Sequence, residues 1–125
     1  MLDCILEFSD NIAEDFDNRE LFNSLHLLLG GSGLFPEERI QSRAHRYRRY
    51  YVADGSRESG FIQLTVTTPR PLDSRYRNRL GDQLLALLQQ EFCYSLQQLN
   101  CTLTVKITHI ESTDYCKSVN RSDVR

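Results

Sequence analysis

A chain of 125 residues, 40% hydrophobic and 26% charged, is long enough to bury a two-layer core without disulfide or metal staples, so one domain is expected over residues 1–125. A formal net charge of -2 excludes a global attraction to nucleic acid or to an anionic membrane, so any basic site must be local. No apolar run approaches the length of a bilayer span, which excludes an integral helical membrane protein.

The first predicted element is a strand over Asp3–Phe8 (DCILEF), closed by turn chemistry at Ser9-Asp10-Asn11. A helix follows from Asp17, where Asp17 and Glu20 fit a capping box and Leu21, Phe22, Leu25, Leu28 and Leu29 fall on one face. Gly30-Gly31-Ser32-Gly33 ends it. That glycine run follows a helix rather than opening one, the wrong context for a phosphate loop.

After a short turn at Pro36–Arg39, a strand is expected over Ile40–Tyr51 (IQSRAHRYRRYY). Ala53-Asp54-Gly55 reads as a hairpin turn into a third strand over Gly60–Thr68, so these two strands are expected to pair antiparallel. Pro69-Arg70-Pro71 breaks that strand, and Asp73 or Ser74 caps a second helix reaching about Leu99. Its stripe is Tyr76, Leu80, Leu84, Leu87, Leu88, Leu96 and Leu99. At about 26 residues this helix would be about 39 Å long, more than the domain can cover, so part of it is expected to pack on a partner.

A last strand over Thr102–Ile110 alternates Leu103, Val105 and Ile107 against Thr104, Lys106 and Thr108. The order β-α-β-β-α-β makes this an α+β fold, a duplicated β-α-β with two helices on one face of a four-stranded sheet. The core is expected over about residues 2–112. A polar C-terminal extension, residues 113–125, has no core of its own and is expected to be disordered or draped over a neighbouring subunit.

Chemistry-bearing residues are few. Cys4, Cys93, Cys101 and Cys116 form no C-x-x-C pair and follow no signal-peptide pattern, which predicts reduced thiols and a cytoplasmic location. His26, His45 and His109 are too scattered for metal-ligand spacing, so no metal is expected. Neither a Ser/His/Asp or Cys/His set nor a dinucleotide fingerprint is visible.

The densest polar feature is RIQSRAHRYRR at Arg39–Arg49. Strand alternation places Arg39, Gln41, Arg43 and His45 on one face, opposite Ile40, Ser42 and Ala44. Such a face suits a carboxylate, which guanidinium groups grip bidentately. It equally suits a solvated edge strand whose charges prevent aggregation. The interleaved Tyr47, Tyr50 and Tyr51 also admit stacking on single-stranded nucleic acid, but the overall acidity and the absence of an RRM signature speak against it.

Five strings, in order along the chain, carry a resemblance: LEFSDN at Leu6–Asn11, GLFP at Gly33–Pro36, SRAH at Ser42–His45, ADG at Ala53–Gly55 and RPLDSR at Arg70–Arg75. Together they resemble the 5-carboxymethyl-2-hydroxymuconate isomerase family of the tautomerase superfamily, which also holds 4-oxalocrotonate tautomerase and macrophage migration inhibitory factor. The resemblance covers nearly the whole chain and loosens in the tail.

It implies a duplicated β-α-β homotrimer and a cofactor-independent isomerase of aromatic-acid catabolism acting on a small anionic substrate. The family's base is an N-terminal proline amine, and its arginines hold substrate carboxylates. In this chain Leu2 stands at the proline position and Gln41 at one of the arginines. Arg70 matches a second arginine, and Arg43 belongs to the shared string.

A leucine in second place predicts that Met1 is retained, with its primary amine about 3.3 Å beyond the usual base position. Two expectations follow from the resemblance. One is an isomerase in which the Met1 amine is the base and Arg39, Arg43, Arg70 and Gln41 surround the substrate. The other is a non-catalytic or repurposed member that binds a small carboxylate or a protein partner.

Overall fold

The computed structural model describes residues 2–15, 18–31, 33, 35–110, 116 and 118. Strand β1 (Leu2–Ser9) is followed by helix α1 (Asn18–Gly30), a 3-10 turn (Glu37–Arg39), β2 (Ile40–Tyr47), β3 (Ser59–Thr68), helix α2 (Ser74–Glu91), the short helix α3 (Cys93–Gln98) and β4 (Asn100–His109). The strands form one four-stranded sheet in the order β2-β1-β3-β4. β1 runs parallel to β2 and antiparallel to β3, and β3 runs parallel to β4. The architecture is the expected duplicated β-α-β with its helices on one face.

Alternation along β1 explains which face they cover. Leu2, Cys4, Leu6 and Phe8 are buried, while Asp3, Ile5 and Glu7 turn to the opposite, helix-free face. Ile62, Leu64 and Val66 of β3 extend the buried layer. Against it lie Leu21, Leu25 and Leu29 of α1 and Leu80, Leu84 and Leu88 of α2, at helical spacings of four.

Three sequence expectations need correction. The β2–β3 hairpin does not exist, because β1 lies between those strands. A β-α-β crossover sets β2 beside β1, and the two halves then join through the β1–β3 pair. β2 stops at Tyr47, whose carbonyl accepts from the Asp10 N–H at 2.9 Å, so residues 48–51 are not strand. The turn at 53–55 is real, with Ala53 at φ 52° and Gly55 at φ 80°, but it belongs to a loop that carries the chain past the end of β1.

The Ser9-Asp10-Asn11 turn clamps that same end. Ser9 Oγ donates to Asn11 Oδ1 at 2.7 Å and accepts from the Phe61 N–H at 3.0 Å, while Asn11 Nδ2 donates to the Ser59 carbonyl at 2.9 Å. Gly60 lies so close that a Cβ there would meet Ser9 Oγ at 2.8 Å.

The third correction concerns the long helix, which breaks at Phe92 (φ -108°, ψ 25°) and leaves α2 with 18 residues, about 27 Å. The cause sits in the loop after β1. Glu14 accepts from both the Ser95 N–H, at 3.1 Å, and Ser95 Oγ, at 2.5 Å, and Ser95 Oγ accepts from the Ala13 N–H at 2.8 Å. A carboxylate from outside thus caps the first turn of α3 where a continuous helix would use its own carbonyl. Phe92, fully buried, turns its ring toward Phe8 at 6.1 Å between centroids. At the other end of α2, Asp73 caps by accepting from the Tyr76 N–H, as expected. The Asp17 cap, Met1 and nearly all of the C-terminal extension lie outside the described residues.

Candidate active site

Strand directions bring four of the predicted site residues to one end of the sheet, while Arg43 lies further along β2, opposite Ile5. β1 and β2 begin at that end, and β3 and β4 finish there: Leu2 pairs with Ile40, Asp3 with Gln41 and with Thr67, and Thr68 with His109. Arg39 closes the 3-10 turn that enters β2, and Arg70 follows the last residue of β3 by two. Residues far apart in the chain, Leu2, Arg39, Gln41 and Arg70, therefore share this end.

The details differ from the sequence reading at Arg39, which is not on the strand. Pro36 starts a tight turn, the Arg39 N–H donates to the Pro36 carbonyl at 2.9 Å, and its side chain is exposed. Gln41, Arg43 and His45 do alternate onto the helix-free face and are exposed. Arg70 is exposed as well, and its carbonyl accepts from Thr68 Oγ1 at 2.6 Å, which fixes the backbone where β3 ends.

Leu2 is 1% exposed and sits in the core beneath the helices. Its side chain is therefore part of the packing and is not presented at the sheet end.

Sequence reasoning missed Asp3. The Asp3 carboxylate lies 3.9 Å from the Arg43 guanidinium, beside Gln41, and it partly neutralises the cationic patch. Alternation alone would have put Asp3 on the same face as Arg43, but only the parallel register of β1 on β2 makes them neighbours.

At the far end of the same face, Tyr47 donates to Glu7 Oε2 at 2.5 Å, and this bond pushes the Tyr47 hydroxyl above its ordinary range. His45 meets the Tyr47 ring edge-on at 4.3 Å. His45 thus belongs to that cluster and not to the sheet end. Cys4 is buried, and burial pushes its thiol up to about 12 despite a bond to Ser42 that acts the other way. The four cysteines are free thiols. Among the described residues no group of three or more His, Cys, Asp or Glu could hold a metal ion, and no helix is long and apolar enough to cross a membrane.

The family model of 5-carboxymethyl-2-hydroxymuconate isomerase matches residues 3–123. The chain belongs to this family. It is 28% identical over 109 residues to the 5-carboxymethyl-2-hydroxymuconate Delta-isomerase of Escherichia coli, a match covering 87% of this chain and 86% of the relative. A crystal structure of a 5-carboxymethyl-2-hydroxymuconate isomerase from Deinococcus radiodurans superposes with a TM-score of 0.84 at 26% identity, covering 95% of this chain and 90% of that one. A fused 4-OT described as a symmetric trimer shares the fold, with a TM-score of 0.72 at 12% identity over 96% of this chain and 94% of that chain.

A groove of about 740 Å³ lies between α2 and the outer edge of β4, where Arg77, Gly81, Asp82 and Leu85 face Leu103, Val105 and Ile107. It contains none of the predicted site residues. What it marks is the unpaired edge of a 10-residue strand with half-buried apolar side chains, the kind of edge that proteins cover.

Proposed function

We propose that this protein is a cofactor-independent isomerase that shifts a double bond in an unsaturated 2-hydroxy carboxylic acid, in aromatic-compound catabolism. The reading rests on family membership together with one observation, the gathering of Arg39, Gln41 and Arg70 at the sheet end where β1 begins. The base is the Met1 amine. An α-amino group titrates ordinarily at about 7.7–8.0, and nearby guanidinium groups favour its neutral form, which suits general base work near neutrality.

The amine takes the proton of the substrate's 2-hydroxyl, the electron pair moves through the diene, and the same proton returns at a distant carbon. A dienol becomes a conjugated ketone, with no net gain or loss of atoms or electrons. Arg39 and Arg70 hold the carboxylate and stabilise negative charge on the oxygen, while Gln41 supplies a neutral hydrogen-bond donor. The working unit is a homotrimer, a reading supported by the trimeric relative and by the uncovered β4 edge.

A second reading, a carboxylate-binding member without catalysis, is favoured by one specific feature: Leu2 is sealed in the core at the position the family gives to proline. A ketonisation assay on a 2-hydroxymuconate-type substrate separates the two. Turnover that disappears on N-terminal acetylation identifies the amine as the base. Turnover that is absent from the natural chain and created by Leu2→Pro, with the processed N-terminus verified by intact mass, marks a member that has lost the reaction.

A further inference from the structure

On the helix-free face, register sets four polar side chains in one row at the sheet end: Gln41 of β2 pairs with Asp3 of β1, Asp3 with Thr67 of β3, and Thr67 with Thr108 of β4. Thr67 Oγ1 and Thr108 Oγ1 are 3.4 Å apart, and Gln41 and Thr108 are exposed. Asp3 stands between Gln41 and Thr67, so a ligand group that bonds either of them lies within about one strand spacing, about 4.8 Å, of its carboxylate.

Asp3 carries the one charge of that row. Arg43, two residues along β2 from Gln41, lies 3.9 Å from the carboxylate and offsets it, which leaves the row without a net positive field. Gln41 brings an amide with donors and an acceptor, and Thr67 and Thr108 bring hydroxyls that serve in either sense. None of the three matches the fork with which a guanidinium grips both oxygens of a carboxylate. A second carboxylate placed here would stand beside Asp3, whereas an amide or a hydroxyl finds partners for both its donor and its acceptor.

Cations reach the same end from outside the strands. Arg39 closes the turn that enters β2, Arg70 follows β3, and both are exposed. The groups gathered at the sheet end therefore differ by origin. The connecting segments supply guanidinium groups, and the strand face supplies an amide, two hydroxyls and a carboxylate.

We infer that the substrate of this site is a monocarboxylate whose far end carries an uncharged hydrogen-bonding group, an amide or a hydroxyl, in place of a second carboxylate. The inference rests on the isomerase reading for the carboxylate end, held by Arg39 and Arg70, and adds the far end. There Gln41 and Thr67 bond the uncharged group, and Asp3 sets specificity by rejecting an anion.

Muconate and its monoamide are the probes, matched in size and differing by one charge, each titrated into the intact protein by calorimetry. The monoamide should bind about three- to ten-fold more tightly than muconate. Asp3→Asn should bring that ratio close to one by tightening muconate, Gln41→Arg should invert it, and Arg70→Gln should weaken both probes alike. Melting curves verify that each variant is folded. Muconate binding as tightly as its monoamide, or more tightly, overturns the inference, and so does a ratio that Asp3→Asn leaves unchanged. If neither probe binds, the inference falls as well. Turnover is read separately, on 2-hydroxymuconate and its 6-amide. Ketonisation that favours the dicarboxylate sinks this inference and leaves the isomerase reading standing. The expected binding ratio with neither compound turned over supports the ligand class and sinks the isomerase reading.

Discussion

Asp3 and Arg43 reach across from β1 to β2 on the helix-free face, carboxylate to guanidinium at 3.9 Å. Both side chains are well exposed, so the pair adds little stability, about 0–1 kcal/mol. Its consequence is electrostatic: a carboxylate beside Gln41 opposes a second carboxylate on a ligand at the sheet end. Asp3→Asn should therefore leave the melting temperature nearly unchanged and tighten binding of a dicarboxylate such as muconate by about three- to ten-fold, and tighten a monocarboxylate less. Calorimetric titration of the two ligand classes against both proteins checks this.

Leu2 bears on stability as much as on catalysis. Its side chain is among the fully buried ones, on the core face of a central strand. Leu2→Ala removes core volume on a strand held in register by β2, where Leu2 pairs with Ile40, so unfolding free energy should fall by about 2–5 kcal/mol. Chemical denaturation measures it. A loss below 1 kcal/mol would mean that the residue is not sealed in the core.

The fold was largely legible because its signals are periodic. Alternation in LTVTT and TLTVKIT and four-residue spacing at Leu80, Leu84 and Leu88 each name an element without outside information. Pairing was not legible in the same way. Consecutive strands joined by a turn with Gly55 read as a hairpin, and nothing local says that β1 will insert between them. The helix break at Phe92 was hidden because its cause, Glu14, lies 81 positions away from Ser95. The same reasoning separates the site residues. Gln41 and Arg43 followed from alternation, whereas the Asp3 pairing and its place beside Thr67 needed the parallel register of β1 on β2 and the antiparallel register of β1 on β3.

Ser95 gives that break a measurable cost. It is buried, and its hydroxyl accepts from the Ala13 N–H and donates to Glu14, so Ser95→Ala leaves an amide and a carboxylate oxygen short of a partner at once. A loss of about 1–3 kcal/mol is expected, because two part-buried groups lose a partner at once. Ser95→Ala combined with Glu14→Gln should cost less than the sum of the two single changes, since they share one network. A double-mutant cycle by denaturant unfolding checks both statements.

Cys4 sets an alkaline limit. Burial raises its thiol from the ordinary 9.0 to about 12 in the folded chain, so between those values the unfolded chain releases a proton that the folded chain keeps. Stability has the slope of the difference in bound protons, unfolded minus folded, which is negative in this window. The contribution is therefore complete below about pH 9 and is lost as pH rises toward 12. Tyr47, raised above its ordinary 10.0 by its bond to Glu7, acts with the same sign. Unfolding free energy measured from pH 8 upward should decline, and Cys4→Ala should flatten the decline by about one proton while lowering the plateau slightly. In the folded protein Cys4 should also resist a thiol reagent that labels the exposed Cys93 and Cys116, and should become reactive only on unfolding. Labelling of Cys4 at the rate of Cys93 would show that β1 does not bury it.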